Sequence, residues 1–168
     1  MPDLEAFFRA APMAEFTGTV YRVCPARYEG SLVSMRGALL HGARYSIRGY
    51  FGALYTSLSA DTARRETARY FTVAPIGGFR VASIGLRLSR VVNLTDPKVL
   101  RIAKLDRTQL TEPRFAATQE IGLRAWENGV EALLVPSAAD TAESNLAVLL
   151  DNQRPRWSVE LVAVESVE

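Results

Sequence analysis

One cysteine and one histidine among 168 residues limit how this chain can hold itself together. Cys24 has no partner for an intrachain disulfide, and a single cysteine excludes every multi-cysteine zinc or iron–sulfur site. His41 alone builds no His-rich metal centre. A carboxylate-only magnesium or calcium site stays open, but no EF-hand-like Asp/Asn-Gly-Glu spacing occurs. Burial of apolar surface therefore has to carry the fold. With 48% hydrophobic residues, a chain of this length can bury a core without staples. Its size suits one domain, residues 1–168.

No apolar run approaches the roughly 20 residues that a membrane span needs. The N-terminal stretch MPDLEAFFRAAPMAEF carries Asp3 and Glu5 and lacks a basic-then-apolar order, so it does not read as a signal peptide. Cytoplasmic residence is the expectation. The net charge of +2 is unremarkable, but 18 of the 20 basic residues are arginine, Lys98 and Lys104 being the exceptions. Between Phe16 and Ala60 lie Arg22, Arg27, Arg36, Arg44 and Arg48, with Glu29 the only acid. Guanidinium offers a planar fork of donors suited to phosphate. By count alone, a solvated basic face is the favoured reading of the stretch. A nucleic-acid-binding module is a further reading, but no aromatics are spaced along it to stack bases.

Local patterning mixes helices and strands without regular alternation. Asp3 caps a short helix over 4–10, and β-branched Thr17–Val23 reads as a strand. Residues 25–42 show no period and read as an irregular connection. Leu54–Leu58 reads as a short strand, and Ser59–Asp61 offers caps for a helix through about Phe71. After a turn at Ile76–Gly78, Phe79–Leu94 alternates Ile84, Leu86 and Leu88 against Arg87 and Ser89, as a half-buried strand does. Asp96-Pro97 begins a helix over 97–104, and a second over 114–128 stops at Gly129. Glu131–Val135, Leu146–Leu150 and Trp157–Val164 read as strands. The expected class is α+β: two small mixed or antiparallel sheets packed together, flanked by helices, with a ligand cleft between them.

Familiar nucleotide motifs are missing. There is no GxGxxG, no GxxxxGK[ST] and no GxSxG, which removes the common dehydrogenase, ATPase and serine-hydrolase readings. In their place stand Tyr21-Arg22-Val23, Gly42-Ala43-Arg44-Tyr45, Leu54-Tyr55-Thr56-Ser57, Glu66 within ARRETA, Ile121-Gly122 ahead of Trp126, and Val135-Pro136-Ser137-Ala138 followed by Asn145. In this order, over roughly Tyr21 to Asn152, the set resembles the RES-domain family, named for an arginine, a glutamate and a serine. Ala43 replaces a glycine common in that family. The sequence LAVLLDNQRP lacks the Asn-Pro-x-His segment that often follows, so no role is assigned there.

The resemblance implies an ADP-ribosyltransferase-like fold and a toxin of a bacterial toxin–antitoxin pair. It implies cleavage of the nicotinamide–ribose bond of NAD⁺, as glycohydrolase, as phosphorylase with inorganic phosphate as co-substrate, or as protein mono-ADP-ribosyltransferase. The last is disfavoured by the absence of a Glu-x-Glu pattern around Glu66. NAD⁺ is then substrate, with no resident cofactor and no metal. The implied partner is an Xre-type helix-turn-helix antitoxin that covers the cleft and takes the DNA contacts, leaving none to this chain.

Such chemistry builds positive charge on the ribose, and Glu66 is the carboxylate to face it. Read from the residues alone, without the resemblance, Glu66 is an exposed helix acid paired with Arg69 or Arg65. Arg44, then Arg22, is the expected pyrophosphate cation. Tyr45, counted with Arg44 and Glu66 as catalytic, and Tyr55 are expected to grip nicotinamide, or else to be core aromatics. Ser57, Ser137 and Asn145 are expected to hydrogen-bond the ligand, although Ser137 also fits a turn after Pro136. With no histidine base beside it, a serine nucleophile is not expected. Cys24 reads as a small buried hydrophobe and His41 as a surface residue.

Overall fold

In the computed structural model, which describes residues 2–167, most strands and helices follow their local signals. Helix α1 (Leu4–Arg9) starts where the Asp3 carboxylate accepts the Ala6 N–H at 2.9 Å. Strand β1 (Ala14–Pro25) runs longer than its β-branched centre. The stretch expected to be irregular holds a 3-10 turn (Ala26–Ser31) and helix α2 (Arg36–His41). These pieces are six residues each, too short to show a period. Then come β2 (Leu54–Ser57) and α3 (Ala60–Ala68), whose cap Ser59 accepts the Thr62 N–H. Helix α3 ends three residues before the expected Phe71.

Strand β3 (Phe79–Asn93) is the longest element. Helix α4 (Pro97–Ala103) begins at the Asp96-Pro97 signal. Helix α5 (Arg107–Thr111) went unread despite a capping box between Asp106 and Gln109. Helix α6 (Ala116–Glu127) is followed by β4 (Ala132–Pro136) and β5 (Ser144–Val148). Strand β6 (Ser158–Val167) ends the described chain. No helix among the described residues is long and apolar enough to cross a membrane.

The α+β class holds, and the two expected β-layers are continuous. The sheet runs β1-β2-β5-β4-β3-β6, and β1 also pairs with β3, so five strands close into a barrel with β6 on its flank. The length of β3 makes closure possible. One edge pairs with β1 from Phe79 to Val91, while the other serves β6 over Phe79–Arg87 and then β4 over Val91–Asn93. The β3–β4 pair is the parallel one, and α4, α5 and α6 make its crossover.

Alternation then sorts two cores. Ile84, Leu86, Leu88, Leu146 and Val148 pack in one cluster with Val20 and Leu54. Their odd neighbours Leu133, Val135, Ala147 and Leu149 pack in another, with Phe8, Leu110, Ile121 and Ala125 of the helices. Strands β4 and β5 are thus buried on both faces, which fixes their register firmly.

Candidate active site

Register places the first part of the site. Ser57 at the end of β2 lies opposite Asn145 of β5, and Asn145 lies opposite Val135 of β4. Ser137 follows β4 directly and is fully buried. Above this strand edge, α3 seats Thr62 and Ala63 in the core and ties Thr67 Oγ1 to the Val23 carbonyl at 3.1 Å. That anchoring turns Glu66 toward the strand ends.

Glu66 Oε1 accepts three hydrogen bonds: from Ser137 Oγ at 2.5 Å, from Asn145 Nδ2 at 2.7 Å and from the Ala139 N–H at 3.4 Å. Ser57 Oγ donates to Asn145 Oδ1 at 2.7 Å and so sets the amide's orientation. Oε2 accepts from Arg69 at 3.3 Å. Burial pushes the Glu66 pKa up, but the Ser137, Asn145 and Ala139 donors and the Arg69 charge outweigh it, leaving the carboxyl below its ordinary range. Glu66 is therefore an anion at neutral pH.

The second part of the site is a tight loop. Arg44 stacks its guanidinium over the Phe115 ring at 4.7 Å. Its Nη1 donates to the Glu112 carbonyl at 2.6 Å and the Leu110 carbonyl at 3.4 Å, at the end of α5. Tyr45 is buried, with its hydroxyl 3.5 Å from the Leu110 carbonyl. The Tyr55 hydroxyl accepts the Tyr45 N–H at 2.8 Å and lies 3.1 Å from Ser46 Oγ. Burial raises the pKa of both phenols, that of Tyr55 to about 12, so both stay neutral donors.

Between the two parts lies a cleft of about 500 Å³, within the usual range for small-molecule sites. Arg22, Arg44, Tyr45, Tyr55, Ser57, Glu66 and Asn145 line it, while Ser137 stands behind Glu66. Arg22 spends Nη1 on the Leu32 and Ser34 carbonyls at 3.0 and 2.9 Å, holding the connection before α2, and burial lowers its pKa. The expected Glu66–Arg69 pair exists, but the carboxylate's other oxygen is held by uncharged donors that a local reading does not reveal. Tyr28, Tyr70 and Phe115 also line the cleft and were missed. Tyr70, four residues after Glu66, was the one with a spacing signal, although it lies in the turn after α3 ends at Ala68. Cys24 is buried, as expected, and its thiol pKa is pushed up by burial. His41 is exposed at the end of α2.

Residues 19–166 match the family described as the RES domain. The chain belongs to the RES-domain family. A chain in the crystal structure of the M. tuberculosis MbcT–MbcA toxin–antitoxin complex superposes on this RES domain with a TM-score of 0.81. The two are 22% identical, and the match covers 98% of this chain and 91% of the other. A sequence search of curated proteins finds no match. In this RES domain, Glu66 and Ser137 are in direct contact, and Arg44 lines the same cleft as Glu66.

Proposed function

We propose that this RES domain is the toxin of a toxin–antitoxin pair and depletes NAD⁺ by cleaving its nicotinamide–ribose bond, residues 1–168 acting as one cytoplasmic domain. The observation that carries the reading is the Glu66 anion, held at the cleft wall by three donors that bear no net charge. As nicotinamide departs, positive charge grows on the ribose, and a fixed carboxylate lowers the energy of that state more than that of the neutral sugar.

Arg44 presents the part of its guanidinium not bound to the α5 carbonyls to the pyrophosphate. Tyr55, neutral and half-buried at the cleft wall, offers ring surface to the nicotinamide, whereas Tyr45 is 1% exposed, a core aromatic that fixes the loop beside Arg44. Ser57, Ser137 and Asn145 serve chiefly by holding Glu66 and one another. The acceptor for ADP-ribose is water or inorganic phosphate. The partner is an Xre-type helix-turn-helix antitoxin that blocks the cleft, a reading supported by the likeness to a toxin–antitoxin complex.

The test is nicotinamide release from NAD⁺ by the purified chain, with and without phosphate, beside Arg44→Ala and Glu66→Gln. Release by the wild type, dependent on both residues, supports the reading, and phosphate dependence names the acceptor. Full activity in either variant would refute the site. Label transferred to a protein would make the chain a protein ADP-ribosyltransferase.

A further inference from the structure

The loop that carries Arg44 and Tyr45 is not built to hold its own shape. The Ala43 N–H donates to the Ser46 carbonyl at 3.1 Å and the Ser46 N–H to the Ala43 carbonyl at 3.3 Å, closing a hairpin whose two-residue turn is Arg44-Tyr45. Such turns fit the strand twist when their central residues adopt positive φ, which is why Asn-Gly and Gly-Gly dominate them. Here neither residue does so: Lys104 is the one non-glycine residue with positive φ among those described. The pairing also stops at a single bridge, and no strand extends from either side. An isolated hairpin of this kind is not stable in water.

Helix α6 supplies what the loop lacks. Gln119 Nε2 donates to both carbonyls at the neck of the hairpin, Ala43 at 3.1 Å and Ser46 at 3.2 Å, so one amide spans the two ends. Three residues on, and on the same helical side, Gly122 lies against the tip. A Cβ there would stand 2.7 Å from the Tyr45 carbonyl carbon and closer still to its oxygen. Only glycine lets the helix backbone come so near. A mid-helix glycine weakens a helix, and this contact is the reason one stands here. On the opposite side of the tip, the Tyr45 N–H points to the Tyr55 hydroxyl at 2.8 Å. The loop is gripped at its neck by Gln119 and at its tip between Gly122 and Tyr55. Ile121 and Ala125 bury α6 in the core and make the helix a rigid jaw.

We propose that Gln119 and Gly122 are positioning residues, and that the α6 clamp they form sets the aim of Arg44 into the cleft. The functional half of this rests on the NAD⁺ reading, because the ligand that Arg44 meets is taken to be the pyrophosphate. Small displacements of an aligned cation cost heavily in such a site, up to about a hundredfold for 1 Å.

The experiment has two readouts. The first needs no ligand: amide hydrogen exchange at Tyr45 and Ser46 in the wild type and in Gln119→Leu, beside thermal melts. Exchange at these two amides should speed up on the order of tenfold or more in the variant while the melting temperature stays close to wild type. The second is the affinity for ADP-ribose in a cycle of wild type, Gln119→Leu, Arg44→Ala and the double variant. If Gln119 acts through Arg44, the double variant binds as weakly as Arg44→Ala alone. Unchanged exchange in Gln119→Leu, or affinity losses that simply add, would overturn the clamp. A wild type that binds no ADP-ribose would sink the NAD⁺ reading instead, and exchange would then decide the clamp. Gly122→Ala should give the same exchange signature more strongly; if it fails to fold, the Gln119 variants still decide.

Discussion

Asn145 is the place to test whether Glu66 owes its charge to neutral donors. Two opposed effects act on the carboxyl: burial raises its pKa, and its hydrogen bonds lower it by more. Asn145→Leu keeps the branched side-chain outline and deletes the Nδ2–H donor that sits 2.7 Å from Oε1. A hydrogen bond to a charged group contributes about 1.5–3 kcal/mol, and a pKa unit corresponds to about 1.36 kcal/mol, so one lost donor should lift the Glu66 pKa by about 1–2 units. The wild-type value lies below the ordinary range near 4.3, so the rate of nicotinamide release should be flat from about pH 8 down to about pH 5. In Asn145→Leu, and likewise in Ser137→Ala, the acid limb should move to higher pH than in the wild type. The sign for stability follows. A carboxyl whose pKa is depressed by folding stabilises the fold above its unfolded pKa, and that contribution fades as pH falls through the folded value. Asn145→Leu should therefore be less stable than wild type at neutral pH and approach it in acid. The assay is kcat/KM against pH for all three proteins. An acid limb that stays at the wild-type pH in both variants, with only kcat reduced, would refute the reasoning.

Three further outcomes are expected. Arg22→Met should leave the Leu32 and Ser34 carbonyls unpaired and cost about 1–3 kcal/mol in denaturant unfolding, with faster exchange before α2; unchanged stability would show that these bonds hold nothing. Tyr70→Ala, at a residue 73% exposed on the cleft wall, should leave unfolding within about 0.5 kcal/mol of wild type yet raise KM for NAD⁺, and an unchanged KM would remove Tyr70 from the ligand's path. Leu133→Ala, in the fully buried β4, should lose about 2–5 kcal/mol in the same measurement; a loss below about 1 kcal/mol would mean the barrel wall collapses to fill the gap.

What the sequence made legible follows the range of each interaction. Helix caps at Asp3, Ser59 and Asp96 are contacts over two or three residues, and each starts a helix where it was expected. The alternation through Ile84, Leu86 and Leu88 marked β3 for the same reason. Closure of the sheet depends on pairing β1 with β3, from Ala14 against Val91 to Pro25 against Phe79, and no local pattern records that register. The site divides likewise. Arg69 was visible as a partner of Glu66 because it is three residues away. Ser137 and Asn145 lie 71 and 79 residues away and reach Glu66 only through the β2–β5–β4 register. Phe115 beneath Arg44, and Gln119 beside it, come from the far side of the β3–β4 crossover.

The division of labour between the two oxygens of Glu66 bears on how the site would work. Oε1 carries all three neutral donors, one from the buried Ser137 and one from the half-buried β5 residue Asn145. They keep the carboxylate ionised and fixed without neutralising its charge, which a buried guanidinium at the same place would have done. Oε2 accepts from Arg69 alone among the described residues, at 3.3 Å, and the Arg69 side chain is 40% exposed. An exposed pair of this kind contributes at most about 1 kcal/mol, so a ligand can displace Arg69 at little cost. On the proposed NAD⁺ reading, Oε2 is then the atom left to meet a ribose hydroxyl or the developing cation, with Oε1 as its mount. Arg69→Ala should then raise the Glu66 pKa only slightly and leave kcat near wild type, whereas loss of an Oε1 donor moves both.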